Sequence, residues 1–366
     1  MSPLLLVMCG RRVEKLGGQD RRWLKVANLL SETHGAKILV NASYARLAKN
    51  TEIPFSGSIR VVAESKNKYI AYFWLNLVVF FQALWAKQIH FCGNALEMTP
   101  SAVLLWALLR KKITFSFNGV SVNYLKKTGQ KKSVGLLKIM NRIASRIEVL
   151  NETTIVEKFF DSDKIYLSNG MYAGSDSPLL LPKNPKKIVF AGHLYAAKGV
   201  YLLLRIIETC PDNKYEFVIY GERVSDSDSE INKCIEKISS YANVSFMNHT
   251  NDMSRAYSDA SVVLSLQTIS NYPSQVVMEG LAHGAAAIIS KNGDSERFGD
   301  GPGIFYVPSE FDQFEYWQEI SNAAEFSSAN FISISESTLK KFGARKYVND
   351  FVANMGVEVD ASDVRH

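Results

Sequence analysis

Apolar and polar positions alternate along this chain between short β-type runs and longer stretches with helical spacing. In the first half the short runs predict strands at Pro3–Met8, Lys37–Val40, Ser58–Val62, Gln88–Phe91, Ile113–Phe117 and Ile147–Leu150. Between them the spacing predicts helices at Arg21–Thr33, Tyr69–Ala86, Pro100–Leu109, Ser133–Ser145 and Glu152–Phe159. Alternation of strands and helices argues for a parallel sheet with helices on both faces. The pattern breaks at Asn169-Gly170 and at the Ser/Pro-rich segment from Gly174 to Pro185. A second series then begins, with strands at Lys187–Phe190, Glu216–Tyr220, Val244–Phe246, Val262–Leu266, Ala286–Ser290 and Ile304–Tyr306. The expected fold class is therefore α/β, with two Rossmann-like domains facing across a cleft. Their bounds are read as residues 1–168 and 169–345, with a tail at 346–366. In such an architecture ligands bind at the carboxyl ends of the strands.

Length and composition agree with two domains. The chain has 366 residues, and 47% are hydrophobic, enough for two buried cores. Cys9, Cys92, Cys210 and Cys234 have no paired spacing, which argues against a zinc site or a disulfide framework and for a reducing cytosol. The opening Met1-Ser-Pro-Leu-Leu-Leu-Val-Met reads as a buried first strand; its apolar core is too short for a signal peptide. The stretch from Tyr69 to Ala86 is about as long as the shortest membrane spans. Asn76 and Gln82 interrupt it, and it falls between two strands, so a domain helix packed on a sheet is the better reading.

Charge changes the picture in one region. The formal net charge is +6. From Met98 to Ile147 there is no Asp or Glu, but ten Lys or Arg residues lie between Arg110 and Arg146. Leu136, Leu137, Met140 and Ile143 interleave with Lys138 and Arg142 at helical spacing, as in a basic amphipathic helix. Such a field suits an anionic membrane leaflet or a pyrophosphate-bearing acceptor. It also suits a solvated basic face over an ordinary core stripe. No nucleic-acid module accompanies it, so nucleic acid is not expected as a partner.

The most informative segment runs from Ser265 to Gly284. The apolar run Ala260–Leu266 leads into Asn271-Tyr-Pro-Ser274, which is turn and N-cap chemistry. Gln275 to His283 then fits a helix stopped by Gly284. A helix start above a strand end points backbone N–H groups outward, and the usual guest there is a phosphate. Glu279, one turn behind, can accept two hydroxyls such as a ribose offers. On this segment alone an ordinary β-turn-α connection with a solvated Glu is equally compatible.

Other pieces follow the same order. Phe190-Ala-Gly-His-Leu-Tyr-Ala-Ala-Lys-Gly199 follows the basic turn Lys183-Asn-Pro-Lys-Lys187 and the strand Ile188-Val-Phe190. Ile165–Gly170 lies upstream; Phe217–Glu222 and Val244–Met247 lie downstream. Gly17-Gly18 opens a helix near the N-terminus. Together these segments resemble the retaining, nucleotide-sugar-dependent glycosyltransferases of the GT-B fold, family 4 (glycosyl transferases group 1). The resemblance runs from about Leu4 to about Lys346, and it is specific in the second half.

The resemblance implies roles for particular residues. Lys198 matches the family's lysine on the donor diphosphate. His193 stands where the family usually has an Arg, and it is a weaker, pH-dependent cation. Gly17 and Gly18 would let the first domain's backbone approach the diphosphate or acceptor. The family's two glutamates, separated by seven residues, fall here on Asn271 and Glu279. Glu279 is then expected on the ribose, Asn271 on the sugar, and the turn Ser274-Gln275-Val276 on phosphate and sugar. Asn118-Gly119 departs from the His or small polar residue expected near the donor sugar. Lys198, Glu279 and Asn271 are the expected catalytic set. No Asp-x-Asp stands near the end of a second-domain strand, so neither a metal nor another cofactor is expected. The donor, a UDP- or GDP-linked sugar, is a substrate. The implied acceptor is a glycan or lipid-linked molecule of bacterial surface polysaccharide assembly. The implied location is cytoplasmic, peripheral on the inner face of the cell membrane. In the family the last helix crosses back to the first domain, and Ser335 to Asn354 is the segment available for it.

Overall fold

The computed structural model describes residues 2–9, 17–49, 59–64, 67–117, 122–221, 229–247, 253–270 and 272–357. The chain divides into two compact units, Met1–Asn169 with Ala344–His366, and Gly170–Gly343.

The first unit runs β1 (Ser2–Val7), α1 (Gly18–His34), β2 (Lys37–Asn41), α2 (Ala42–Ala48), β3 (Ile59–Val62), α3 (Lys68–Ala83) and β4 (Ala86–Phe91). It continues through α4 (Thr99–Leu109), β5 (Lys112–Phe117), α5 (Val122–Lys127), α6 (Lys131–Ile143), β6 (Arg146–Val149), α7 (Glu152–Val156) and β7 (Ile165–Leu167). The second unit runs β8 (Asn184–Ala191), α8 (Val200–Glu208), β9 (Glu216–Tyr220), α9 (Ser229–Ser239), β10 (Val244–Met247), α10 (Ser254–Ser258) and β11 (Ala260–Ser265). It ends with α11 (Gln275–Ala282), β12 (Ala286–Ser290), β13 (Ile304–Val307) and α12 (Gln313–Phe342). After Gly343, α13 (Ala344–Met355) belongs to the first unit again.

Both sheets are parallel throughout. The first has the order β3-β2-β1-β4-β5-β6-β7 and the second β10-β9-β8-β11-β12-β13. Every residue of β11 and β12 is buried, as expected for strands covered on both faces. In each sheet the order reverses beside a central strand, between β1 and β4 and between β8 and β11. There the loops leaving two adjacent strands diverge, which opens a crevice at the strand ends.

In the first unit a buried polar cluster holds α13. The Glu148 carboxylate on β6 is fully buried and accepts hydrogen bonds from Ser116 and Tyr347, with the Arg22 guanidinium at 3.9 Å. Burial alone would push its pKa up, but Arg22 and the hydroxyls around it outweigh burial and hold the carboxyl below its ordinary value. His90 lies between Thr114 Oγ1 and Ser116 Oγ, 3.0 Å from each, and burial pushes its pKa down to about 3, so it is neutral. Phe351 of α13 meets the His90 ring edge-on at 4.9 Å, and Gln88 Nε2 donates to the Met355 carbonyl at 3.2 Å.

Several elements depart from the sequence reading. The supposed basic turn at 183–187 is the start of β8. Lys183, just before it, is buried and donates to the carbonyls of Ser258 and His283 at 2.5 Å each. It therefore serves as a cap for the carboxyl ends of α10 and α11 rather than as surface charge. Ser335 lies inside α12, so the last helix begins at Ala344, beyond Gly343. The helix predicted over Glu152–Phe159 ends at Val156. Helix α3 does pack on the sheet, but it also exposes an apolar face.

Candidate nucleotide site of the second unit

The switch between β8 and β11 is built by three loops. Strand β8 ends at Ala191; Gly192 just beyond it, at φ +138°, donates its N–H to the Tyr220 carbonyl at 2.9 Å. The chain then makes a 3₁₀ turn at Ala196–Lys198 and enters α8 through Gly199, at φ +82°. A Cβ at Gly199 would lie 1.9 Å from the Leu266 carbonyl oxygen, so only glycine lets this loop cross the end of β11 so closely. The Thr268 N–H donates to the Ala197 carbonyl at 3.1 Å, and Lys198 Nζ donates to Gln267 Oε1 at 3.0 Å. The third loop follows β12. Asn292 Nδ2 donates to the Gln267 carbonyl at 3.2 Å, and the Asp294 N–H donates to Ser270 Oγ at 3.1 Å. Lys198 is thus held at the carboxyl ends of β8 and β11. Burial lowers its pKa from the usual lysine value.

Helix α11 starts directly beyond. Ser274 is its N-cap, in extended conformation and buried, and its hydroxyl has no hydrogen-bond partner. The first ladder bond of the helix runs from the Met278 N–H to the Ser274 carbonyl at 3.2 Å. The N–H groups of Gln275, Val276 and Val277 therefore lie outside the helix's own ladder, where an anion is favoured. The turn before them is fixed from below: Tyr272 Oη accepts from the Gly170 N–H at 3.0 Å, and Gln275 Nε2 donates to the Met171 carbonyl at 3.1 Å. Helix α11 lies close on β11, since a Cβ at Gly280 would come within 2.5 Å of Val263. Glu279 is half-buried in the second turn, and its carbonyl accepts from His283 Nδ1 at 2.7 Å.

Of the residues expected at a donor site, Lys198, His193, Ser274, Gln275, Val276 and Glu279 all belong to the second unit. His193 is exposed in the loop after β8, its ring stacked beside Tyr195 at 6.4 Å. Gly17 and Gly18 start α1 in the first unit, where the Gly17 N–H already donates to Asp20 Oδ2 at 2.9 Å. Asn271, Asn118 and Gly119 lie outside the described residues. Gln267, Ser270 and Asn292 are additions that the sequence did not reveal. Gln267 sits just past an apolar run, and its contact with Lys198 requires β8 and β11 to be neighbours. Among the described residues no cluster of His, Cys, Asp and Glu could hold a metal ion.

A lysine at a strand-end switch point and a helix start with N–H groups outside its ladder are each suited to phosphate oxygens. Residues 185–322 match the family model described as glycosyl transferases group 1. No match was found among curated proteins. Among solved structures, HepE of Anabaena in complex with UDP has a TM-score of 0.72 at 15% identity, over 96% of this chain and 99% of that one. Sucrose-phosphate synthase of Thermosynechococcus elongatus has a TM-score of 0.71 at 14% identity, over 96% and 98%. WaaG, a glycosyltransferase involved in lipopolysaccharide biosynthesis, has a TM-score of 0.66 at 12% identity, over 98% and 100%. At these identities the likeness concerns the fold. Two parallel α/β sheet units together with these neighbours define the two-domain GT-B fold.

Proposed function

We propose that the protein is a glycosyltransferase that retains anomeric configuration and needs no metal. It would move a sugar from a UDP- or GDP-linked donor to a glycan or lipid-linked acceptor. The observation that carries this reading is the joining of the β8 and β11 loops around Lys198, in the unit that also holds the α11 helix start and within the segment matching the glycosyl transferases group 1 model. HepE, similar in fold, is known in complex with UDP-glucose, which favours uridine as the base.

In this proposal Lys198, the first N–H groups of α11 and His193 hold the leaving diphosphate. Glu279 accepts the ribose hydroxyls, and Asn271 orients the sugar. Gly17 and Gly18 border the acceptor side. The acceptor attacks from the face the diphosphate leaves, and the departing phosphate takes its proton. This demands electrostatic stabilisation and alignment rather than a carboxylate nucleophile. The setting proposed is bacterial surface polysaccharide assembly, in the cytoplasm and peripheral on the inner face of the cell membrane. The basic residues between Arg110 and Arg146 support that placement.

A second reading is a catalytically weakened partner that binds nucleotide or carbohydrate for another transferase. It is favoured by Asn271 in place of a glutamate and His193 in place of an arginine. Incubation with a panel of UDP- and GDP-sugars and glycan acceptors, with mass-spectrometric detection of nucleotide and glycosylated product, separates the two. Product formed in the presence of chelator supports the transferase. Nucleotide binding without turnover supports the binding partner, and turnover abolished by chelator overturns metal independence.

A further inference from the structure

Helix α3 is apolar on its exposed as well as its buried side, with Asn76 and Gln82 as polar interruptions within it. Its inner face, Leu75, Val79 and Ala83, is buried in the core of the first unit. Its outer face carries Ile70, Phe73, Trp74 and Phe81, and Trp85 follows at its end; all are exposed, Phe73 to 69% and Trp85 to 67%. A surface helix normally pairs its buried stripe with a polar face. The neighbouring α4 repeats the anomaly, with Leu104, Leu108 and Leu109 exposed. The two helices are joined where Asn76 Oδ1 of α3 accepts the Ser101 N–H of α4 at 3.1 Å. An exposed apolar face of this size marks an interaction surface.

Charge selects the partner. Helix α6 packs beside α4 in the same layer, through Val134, Leu137 and Met140, and exposes Lys131, Lys132, Lys138 and Arg142. Lys132 Nζ lies 5.7 Å from the Tyr72 ring of α3, and the Arg110 guanidinium 5.7 Å from the Trp106 ring of α4. Between Glu64 and Glu148 the sequence contains one acidic residue, Glu97. At the end of α3, a cavity of about 440 Å³ is lined by Trp85, Gln82, Lys37 and Arg60, among others. Aromatic rings and aliphatic side chains bordered by lysine and arginine match the boundary between lipid headgroups and acyl chains. A second copy would bring two basic faces together, against electrostatic complementarity. Spanning is excluded for α3: its 16 residues extend about 24 Å against about 30 Å of hydrocarbon, and one face is committed to the core.

We propose that the α3–α4–α6 layer lies flat on an anionic phospholipid leaflet. The side chains Phe73, Trp74, Phe81 and Trp85 enter the interface, and the cations of α6 and the Trp85 cavity meet lipid phosphates. This inference rests on the membrane placement proposed above and names its surface, in which the aromatic helix, and not the basic stretch alone, makes the contact.

The test is sedimentation of the full chain with vesicles of phosphatidylcholine alone or with a third phosphatidylglycerol, alongside size-exclusion chromatography. The wild type should bind the anionic vesicles and remain partly bound in high salt. The double variant Phe73→Ser/Trp85→Ser should bind at least roughly tenfold more weakly, with unchanged circular dichroism and UDP affinity. Lys131→Glu/Lys132→Glu should bind only at low salt. Equal binding of wild type and the aromatic variant, or equal binding of the wild type to neutral and anionic vesicles, would overturn the proposal. So would a wild-type dimer that the aromatic variant dissolves without any vesicle binding. UDP affinity is read separately, so loss of the nucleotide site and loss of the membrane surface are distinguishable.

Discussion

Replacing Lys198 by alanine is the sharpest perturbation of the proposed site. Nζ donates to the neutral amide of Gln267 at 3.0 Å, and burial lowers its pKa. The protein therefore bears a desolvation cost for this cation that an arriving phosphate offsets. A charge-assisted hydrogen bond to phosphate is worth about 1.5–3 kcal/mol, or roughly 10- to 150-fold in affinity. Lys198→Ala should weaken UDP binding by that factor in calorimetry and leave uridine binding unchanged, since uridine carries no phosphate. Folding should lose little, on the order of 1 kcal/mol, as for one neutral-acceptor hydrogen bond. The pH dependence has a definite sign. Binding the anionic diphosphate raises the lysine pKa, so UDP affinity should fall as pH rises through the lowered pKa of the free protein, with proton uptake on binding between the free and bound values. The variant should lack that alkaline limb. Unchanged UDP affinity in a folded variant, or an equal loss for uridine, would refute the assignment.

Three further outcomes are expected. Gly199→Ala should destabilise the protein by more than about 3 kcal/mol in denaturant unfolding, because the methyl group meets a backbone carbonyl at 1.9 Å at positive φ; a cost under about 1 kcal/mol would contradict the crossing of the two loops. Glu279→Ala should raise the donor KM more than Asn271→Ala, whose neutral hydrogen bond is worth about 0.5–1.5 kcal/mol; the reverse order would mean the ribose and sugar contacts are exchanged. Stability should fall on acidification from about pH 6.5, since the unfolded chain protonates His90 there while the folded protein, with a pKa of about 3, does not. The loss should reach about 3 kcal/mol by about pH 4.5, and the lowered carboxyl of Glu148 adds a loss of the same sign as pH falls through its folded pKa. In thermal melts across this range His90→Gln should flatten the slope; an unchanged slope would remove His90 from the account.

The parallel sheets were legible because their strands are short apolar runs at βα spacing. Val262 to Leu264 and Ala286 to Ser290 could hardly be anything but buried strands. The start of α11 was legible too, from Pro273-Ser274 before an apolar helix and Gly284 after it. Charge misled where burial decides. Lys183 reads as part of a basic turn, but its ammonium is wrapped by carbonyls from two helix ends far along the chain. Glu148 and His90 read as ordinary strand residues, because the cluster that buries them draws on α1, three strands and α13. Gln267 escaped for the same reason. The stretch 69–86 shows the limit of periodicity. A mostly apolar helix reads as a core helix, and only the folded unit shows that one of its faces is exposed.

The central claim is that a nucleoside diphosphate binds where the β8 and β11 loops meet. A crystal structure with UDP tests it most directly. The diphosphate is expected within hydrogen-bond distance of Lys198 Nζ and of the first N–H groups of α11, with the ribose against Glu279. A diphosphate bound away from Lys198 and from the start of α11 would contradict it.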